Sequence, residues 1–213
     1  MPAKLKIKVC GMREPGNIQD LIVYEPDYIG FIFYPGSKRY VQNPDPEVIR
    51  KIPPGIGKVG VYVNETTEKI KRMVADLKLD LVQLHGDETP EDCMNLRDSG
   101  IPVMKAFRIS NSIDEKKMRD YEDSCEYFLF DTSGSGFGGT GEQFEWGALD
   151  GYRLSMPFFL SGGIGPEDLQ AILNLERPGM AGIDINSRFE IEPGLKDMSK
   201  VSDFIQSIRR KQQ

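Results

Sequence analysis

Two side chains able to move protons stand at the ends of apolar runs. Cys10 follows "KIKV" and precedes Gly11, and Asp131 closes "YFLFD" and opens a glycine-rich stretch from Thr132 to Trp146. A thiol, with a reference pKa of about 8.5, becomes a base for a carbon acid where its neighbours favour the thiolate. A carboxyl group in partly apolar surroundings holds its proton to higher pH and suits a general acid. Arg39, in "PGSKRYV", is a planar cation that can grip a carboxylate through two parallel hydrogen bonds. Read singly, each has a plainer role: a packed thiol, a capping carboxylate, a surface arginine beside Lys38.

A fourth signal is "SGGIG", Ser161 to Gly165, followed by Pro166 and two acidic residues. Gly162, Gly163 and Gly165 let the backbone approach a ligand closely, and a helix starting at Pro166 would present N–H groups to an anion. Phosphate is the expected guest, with Asn186 and Ser187 of "DINSR" completing the cradle; a plain tight turn is the alternative.

These groups need a frame that brings them together. Eight β-branched or aromatic runs recur along the chain: "KLKIKV", "YIGFIFY", "KVGVYV", "LVQLH", "VMKAFRI", "YFLFD", "PFFLSG" and "GIDIN". Helical patterns lie between them, as in "NETTEKIKRMVADLKL", where Asn64 is the expected cap and Ile70, Met73, Val74 and Leu77 form one apolar face. The period is roughly 27 residues, the length of a strand plus crossover helix. Eight such units predict an α/β fold, a (β/α)8 TIM barrel spanning residues 1–213 as one catalytic domain. An open doubly wound sheet is the second choice, weakened because "MREPG" after Gly11 is no dinucleotide-binding turn. In such barrels chemistry sits at the C-terminal ends of the strands. Those ends carry Cys10, Arg39, His85, Asp131, the glycine loop, Asp184, Asn186 and Ser187. The long glycine-rich segment from Thr132 to Trp146 is also expected to be functional, with a plain connector as the alternative.

Composition narrows the chemistry further. With 33 acidic and 27 basic side chains the net charge is −6, which disfavours a broad nucleic-acid surface. The N-terminus shows no basic-then-apolar leader and no run approaches the ~20 apolar residues that cross a bilayer, so a cytoplasmic protein without membrane contact is expected. Cys10, Cys93 and Cys125 are scattered, which predicts reduced thiols and no zinc site. His85 is the sole histidine, which leaves little room for a multi-histidine metal centre or a Ser-His-Asp relay.

Seven ordered motifs then carry a resemblance: "KVCGM", "GFIFYPGSKRYV", "VGVYVNE", "VQLHGDE", "FDTSGSGFGGTGEQFEW", "FLSGGI" and "GIDINSRFEIEPGLKD". Together the chain resembles the phosphoribosylanthranilate isomerase family of tryptophan biosynthesis over nearly its whole length. The resemblance implies a cofactor-free and metal-free Amadori rearrangement of N-(5-phosphoribosyl)anthranilate. It places Cys10 on the general base, Asp131 on the general acid and Arg39 on the arginine that meets the anthranilate carboxylate. Gly162, Gly163, Asn186 and Ser187 fall in the phosphate loops, and His85 and Asp184 take supporting roles. The small-molecule substrate is the expected partner, and the chain is expected to be a monomer or homodimer.

Two positions depart from the family pattern. Arg188 stands where glycine is usual and is expected to point to solvent, with a charge-assisted contact to the phosphate as the alternative, and Lys38 stands where proline is common. The rival readings are another phosphate-binding barrel enzyme and a phosphosugar-binding protein without turnover. A metal-dependent epimerase would need several histidines, and intact Cys10 and Asp131 weigh against a non-catalytic binder.

Overall fold

Short runs of branched and aromatic residues bounded by Gly, Pro, Asn and Asp favour pleated strands over helical turns. In the computed structural model, which describes residues 4–110, 112–132, 146–175 and 177–212, all eight runs become strands. They are β1 (Lys6–Val9), β2 (Tyr28–Ile32), β3 (Gly57–Tyr62), β4 (Leu81–Leu84), β5 (Val103–Ile109), β6 (Tyr127–Thr132), β7 (Phe158–Leu160) and β8 (Met180–Ile185). Neighbours pair in parallel and in chain order, and β8 returns to β1 with Lys8 beside Asp184 and Val9 beside Ile185. That closure excludes the open sheet.

Crossover helices carry the chain back between strands. α1 (Pro15–Ile22) and α2 (Pro46–Arg50) begin at proline, whose fixed φ and missing N–H suit a first turn. α3 (Thr67–Leu77) is capped by Thr66, which accepts the Lys69 N–H at 3.4 Å. Asn64, the expected cap, instead takes a left-handed conformation with φ 51° and accepts the Asp87 N–H at 2.7 Å. Asparagine tolerates that backbone region, and Thr66 stands directly before the first helical residue. α4 (Pro90–Arg97) opens with a reciprocal cap between Thr89 and Asp92. The remaining helices are α5 (Glu115–Arg119), α6 (Leu169–Leu173) and α7 (Met198–Lys211). Among the described residues no helix is long and apolar enough to cross a membrane.

Alternation along each strand decides what faces the helices and what faces the barrel axis. Ile7, Val9, Phe128, Phe130, Phe158, Leu160, Ile183 and Ile185 face the helices and are buried there, each contributing about 2 kcal/mol. Val59, Leu81, Met104, Leu129 and Phe159 face inward and plug the barrel floor. One layer above, the inward residues turn polar: Lys8, Gln83 and Asp184, all buried. The plug confines any solvent-reaching chemistry to the top.

After β8 the chain does something its strand count did not suggest. A 3-10 turn at Ser187–Phe189 leads into an antiparallel hairpin, β9 (Glu190–Glu192) and β10 (Leu195–Lys196), before α7. Phe189 anchors the turn by packing edge-on against Phe204 of α7, with ring centroids 4.9 Å apart. Asn17 of α1 holds the hairpin through both Lys196 backbone groups, donating to its carbonyl at 3.0 Å and accepting its N–H at 2.8 Å. The hairpin delivers two charged side chains, Glu190 and Lys196, to the barrel mouth.

Candidate active site

The upper ends of the strands enclose an open cleft of about 680 Å³. Cys10, Arg39, His85, Asp131, Gly162, Gly163, Asp184, Asn186 and Ser187 all line it. Parity explains the convergence. Lys8, Gln83 and Asp184 point inward from β1, β4 and β8, and Cys10, His85 and Asn186, two positions on and just past the strand ends, follow the same parity.

At the β1 side, Lys8 Nζ lies 2.9 Å from Asp184 Oδ2, and both side chains are buried. Burial opposes the Lys8 charge, but Asp184 and then Cys10 outweigh it and hold its pKa above the ordinary lysine value. Burial likewise pushes the Cys10 thiol above its usual range, with the Lys8 ammonium pulling the other way. The Asp184 carboxyl is also raised by burial, against the pull of Lys8. Its second oxygen, Oδ1, is buried with no partner among the described residues. Gly30 makes room here, since a Cβ would lie 2.8 Å from Cys10 Sγ.

Across the barrel, Asp131 Oδ2 lies 3.1 Å from His85 Nε2, and Oδ1 accepts the Thr132 N–H at 2.9 Å. The other imidazole nitrogen, Nδ1, is 2.8 Å from Gln83 Nε2. One imidazole thus bridges an amide and the carboxyl group. With the Gln83 amide donating to Nδ1, the ring proton sits on Nε2 and faces Asp131 Oδ2. Gly162 sits against this pair with φ 84°, and a Cβ there would stand 2.8 Å from Asp131 Oδ1. The loop that follows His85 is tied down by Glu88, which pairs with Lys105 at 3.0 Å and accepts the Gly86 N–H at 2.9 Å.

Arg39 reaches the cleft from the loop after β2, held by a carboxylate of the protein itself. Its Nε donates to Glu190 Oε1 at 2.8 Å and its Nη2 to Oε2 at 2.7 Å. Lys196 Nζ reaches the same carboxylate at 2.6 Å and donates to Asn186 Oδ1 at 2.8 Å. Burial pushes Glu190 up, yet Arg39 and Lys196 overcome it and leave the carboxyl below its usual value. Lys196 is pulled below the ordinary lysine value by burial, partly offset by Glu190. Gly11, with φ 73°, is required because a Cβ would meet Arg39 Cδ at 2.6 Å and Asn186 Oδ1 at 2.7 Å.

This carboxylate gives a pH-dependent expectation. Glu190→Gln should lose about 2 kcal/mol of unfolding free energy at pH 7, since two cations lose their partner charge. A depressed folded pKa makes the contribution complete above the unfolded value of about 4.3, and it fades as pH falls through the lower folded value. Denaturant titrations of the parent and variant should therefore converge toward acid.

Beside the glycine loop, the expected helix start takes a different form. Pro166–Asp168 is a 3-10 turn before α6, and the Gly165 N–H is already bound by Asp168 Oδ2 at 2.7 Å. Gly165 therefore serves as a cap, because an acidic residue three positions on reaches back to it. Gly162 and Gly163 take positive φ values of 84° and 66°, a backbone that glycine adopts without strain. Arg188 is exposed, as expected, and pairs at the surface with Glu167 of the preceding loop. The loop Ser133 to Gly141 lies outside the described residues.

Lys8, Gln83, Glu190 and Lys196 escaped notice as site residues in the sequence. Lys8 and Gln83 had a legible signal, a polar residue two positions before an inward Cys10 or His85. Glu190 and Lys196 had none, because their place depends on how the hairpin folds back.

The sequence model of the N-(5'phosphoribosyl)anthranilate (PRA) isomerase family matches residues 7–207. The chain is 50% identical over 206 residues to N-(5'-phosphoribosyl)anthranilate isomerase of Parabacteroides distasonis, covering 95% of this chain and 92% of that one. It is 45% identical over 205 residues to the enzyme of that name from Phocaeicola vulgatus, covering 96% and 98%. Its fold is similar to that of phosphoribosyl anthranilate isomerase from Thermotoga maritima, with TM-score 0.80, 34% identity and 97% and 99% coverage. A phosphoribosyl anthranilate isomerase solved with reduced 1-(o-carboxyphenylamino)-1-deoxyribulose 5-phosphate gives TM-score 0.76 at 32% identity, covering 97% and 99%. With the family matched from the first strand into the last helix, the chain belongs to the N-(5'-phosphoribosyl)anthranilate isomerase family.

Proposed function

We propose that this chain isomerises N-(5'-phosphoribosyl)anthranilate in tryptophan biosynthesis with Asp131 as general acid and Cys10 as general base. Membership of the isomerase family carries the activity. The roles rest on one observation: Cys10 and Asp131 open onto a single cleft from strands on opposite sides of a closed barrel.

The chemistry follows from the two groups. Asp131 gives its proton to the furanose ring oxygen as the C1'–O bond breaks, and the anilino nitrogen lone pair forms the C1' iminium. That cation makes the C2' proton acidic. The Cys10 thiolate removes it, the electron pair forms the C1'–C2' double bond of the enolamine, and the iminium charge is quenched. Proton uptake at C1' and loss of the enol proton give the ketone, and Asp131 and Cys10 regain their starting states. His85 holds the Asp131 carboxyl in place.

The surrounding groups match a ligand with an anion at each end. Arg39, with one edge engaged by Glu190, presents its remaining N–H donors to the anthranilate carboxylate. Gly162, Gly163, Asn186 and Ser187 line the phosphate end. Asp184 Oδ1, buried without a partner, accepts a sugar hydroxyl. The solved relative holding a reduced carboxyphenylamino-deoxyribulose phosphate supports this arrangement. A cytoplasmic setting belongs to the reading, because Cys10 works only as a free thiol.

Purified protein supplied with freshly made phosphoribosylanthranilate should consume its fluorescence and yield an isomer separable by chromatography. Saturable binding of substrate without any isomer would leave a phosphosugar-binding protein in place of an enzyme.

A further inference from the structure

Lys8 is among the most deeply buried charged residues of the barrel, fully screened from solvent on an inward position of β1. Removing an ammonium and a carboxylate from water costs several kcal/mol per ion, and a well-packed apolar pair at such a site is often as stable. Stability alone therefore does not explain Lys8 and Asp184. Their position suggests another use. Lys8 stands two residues before Cys10, so both side chains project from the same face of β1. Above Gly30 they converge: a Cβ placed there would lie 2.8 Å from Cys10 Sγ and 3.3 Å from Lys8 Cε. An ammonium has three donors. Asp184 takes one at 2.9 Å, and the Cys10 sulfur sits over the same glycine as the lysine stem.

The remaining surroundings of Cys10 offer no substitute. Ile32 and Val61 are apolar, with half-buried Tyr34 packed against them. Asp184 carries the wrong sign for a thiolate. Lys196 contributes from β10, but its ammonium is engaged by Glu190 at 2.6 Å and Asn186 at 2.8 Å. Arg39 is likewise held by Glu190.

We infer that Lys8 is a positioning residue whose buried ammonium, clamped by Asp184, eases ionisation of the Cys10 sulfur at the cleft. Asp184 fixes the ammonium, and the lysine stem and the sulfur share the space above Gly30. The proposal rests on Cys10 acting as the base, and it adds the group that makes a buried thiol fit for that task.

The test is the pH dependence of Cys10 alkylation by iodoacetamide in the substrate-free protein, read by mass mapping of the Cys10 peptide. An opposite charge within about 4–6 Å moves a group's titration by about 1–3 units. Lys8→Met should therefore move the alkylation midpoint up by at least about one unit. At pH 7 it should lower kcat about 10–100-fold with KM changed less than about 3-fold, because the thiolate fraction falls about tenfold per unit. Lys8→Arg should return the midpoint to within about half a unit of the parent. If Lys8→Met does not fold, Lys8→Gln, which keeps a hydrogen bond to Asp184, is judged by the same shift. An unmoved midpoint in a folded neutral variant overturns the inference and leaves Lys8 as the partner of Asp184 only. Alkylation needs no substrate, so its shift stands even if Cys10→Ser keeps full turnover, and the two readings fail separately.

Discussion

Asp131→Asn is expected to lower kcat by about 10³-fold while KM changes only a few-fold. General acid catalysis contributes about 10²–10⁴ in rate, and an amide cannot release a proton to the ring oxygen. Asparagine keeps the shape of the side chain, so its oxygen still accepts the Thr132 N–H that Asp131 Oδ1 takes at 2.9 Å. The defect should therefore lie in chemistry and leave ligand binding in place. It should also lie early, because the ring must open before the C2' proton becomes acidic. Borohydride added during incubation of the variant with substrate should trap no reduced open-chain adduct. Turnover within about threefold of the parent would remove Asp131 from the acid role.

Cys10→Ala is expected to match that loss, about 10³-fold in kcat, but at the later step. With Asp131 intact the ring opens, and the iminium accumulates because nothing removes the C2' proton. Borohydride should then trap the open-chain amine, which separates this variant from Asp131→Asn. The parent should also show a pH signature that the variant lacks. Burial holds the Cys10 thiol above the ordinary range. The reactive form is the thiolate, so kcat/KM should rise with pH from neutral into the alkaline region and fall off toward acid. A parent profile with no rising limb, or a Cys10→Ala variant that retains one, would move the base elsewhere.

The place of both residues at the mouth was legible before any coordinates, and their proposed roles only through the family resemblance. Cys10 and Asp131 each end an apolar strand run, and in a barrel the end of a strand is the mouth. The same logic found His85, Asp184, Asn186 and Ser187, and the glycine loop betrayed itself by composition. Local rules were weaker where several residues could serve. Thr66 displaced Asn64 as the α3 cap, and Asp168 closed off the Gly165 N–H that an anion would have used. In both cases a nearby side chain competed for the same backbone group, and pattern alone does not rank such competitors.

By itself the sequence determined the eight-unit barrel and its strand ends, where the two proposed proton-transfer groups stand, because strand periodicity and spacing are local properties written residue by residue. Only the tertiary structure decided what surrounds those groups. The contact of Lys8 with Asp184 spans 176 residues, and the seating of the hairpin on Asn17 spans 179. The arrangement of Glu190 and Lys196 beneath Arg39 depends on that seating. Such partners are set by barrel closure and chain reversal, which bring distant charges together inside a low-dielectric interior. There a neighbour a few ångströms away outweighs the intrinsic chemistry of the side chain, and that neighbour is not written in the local sequence.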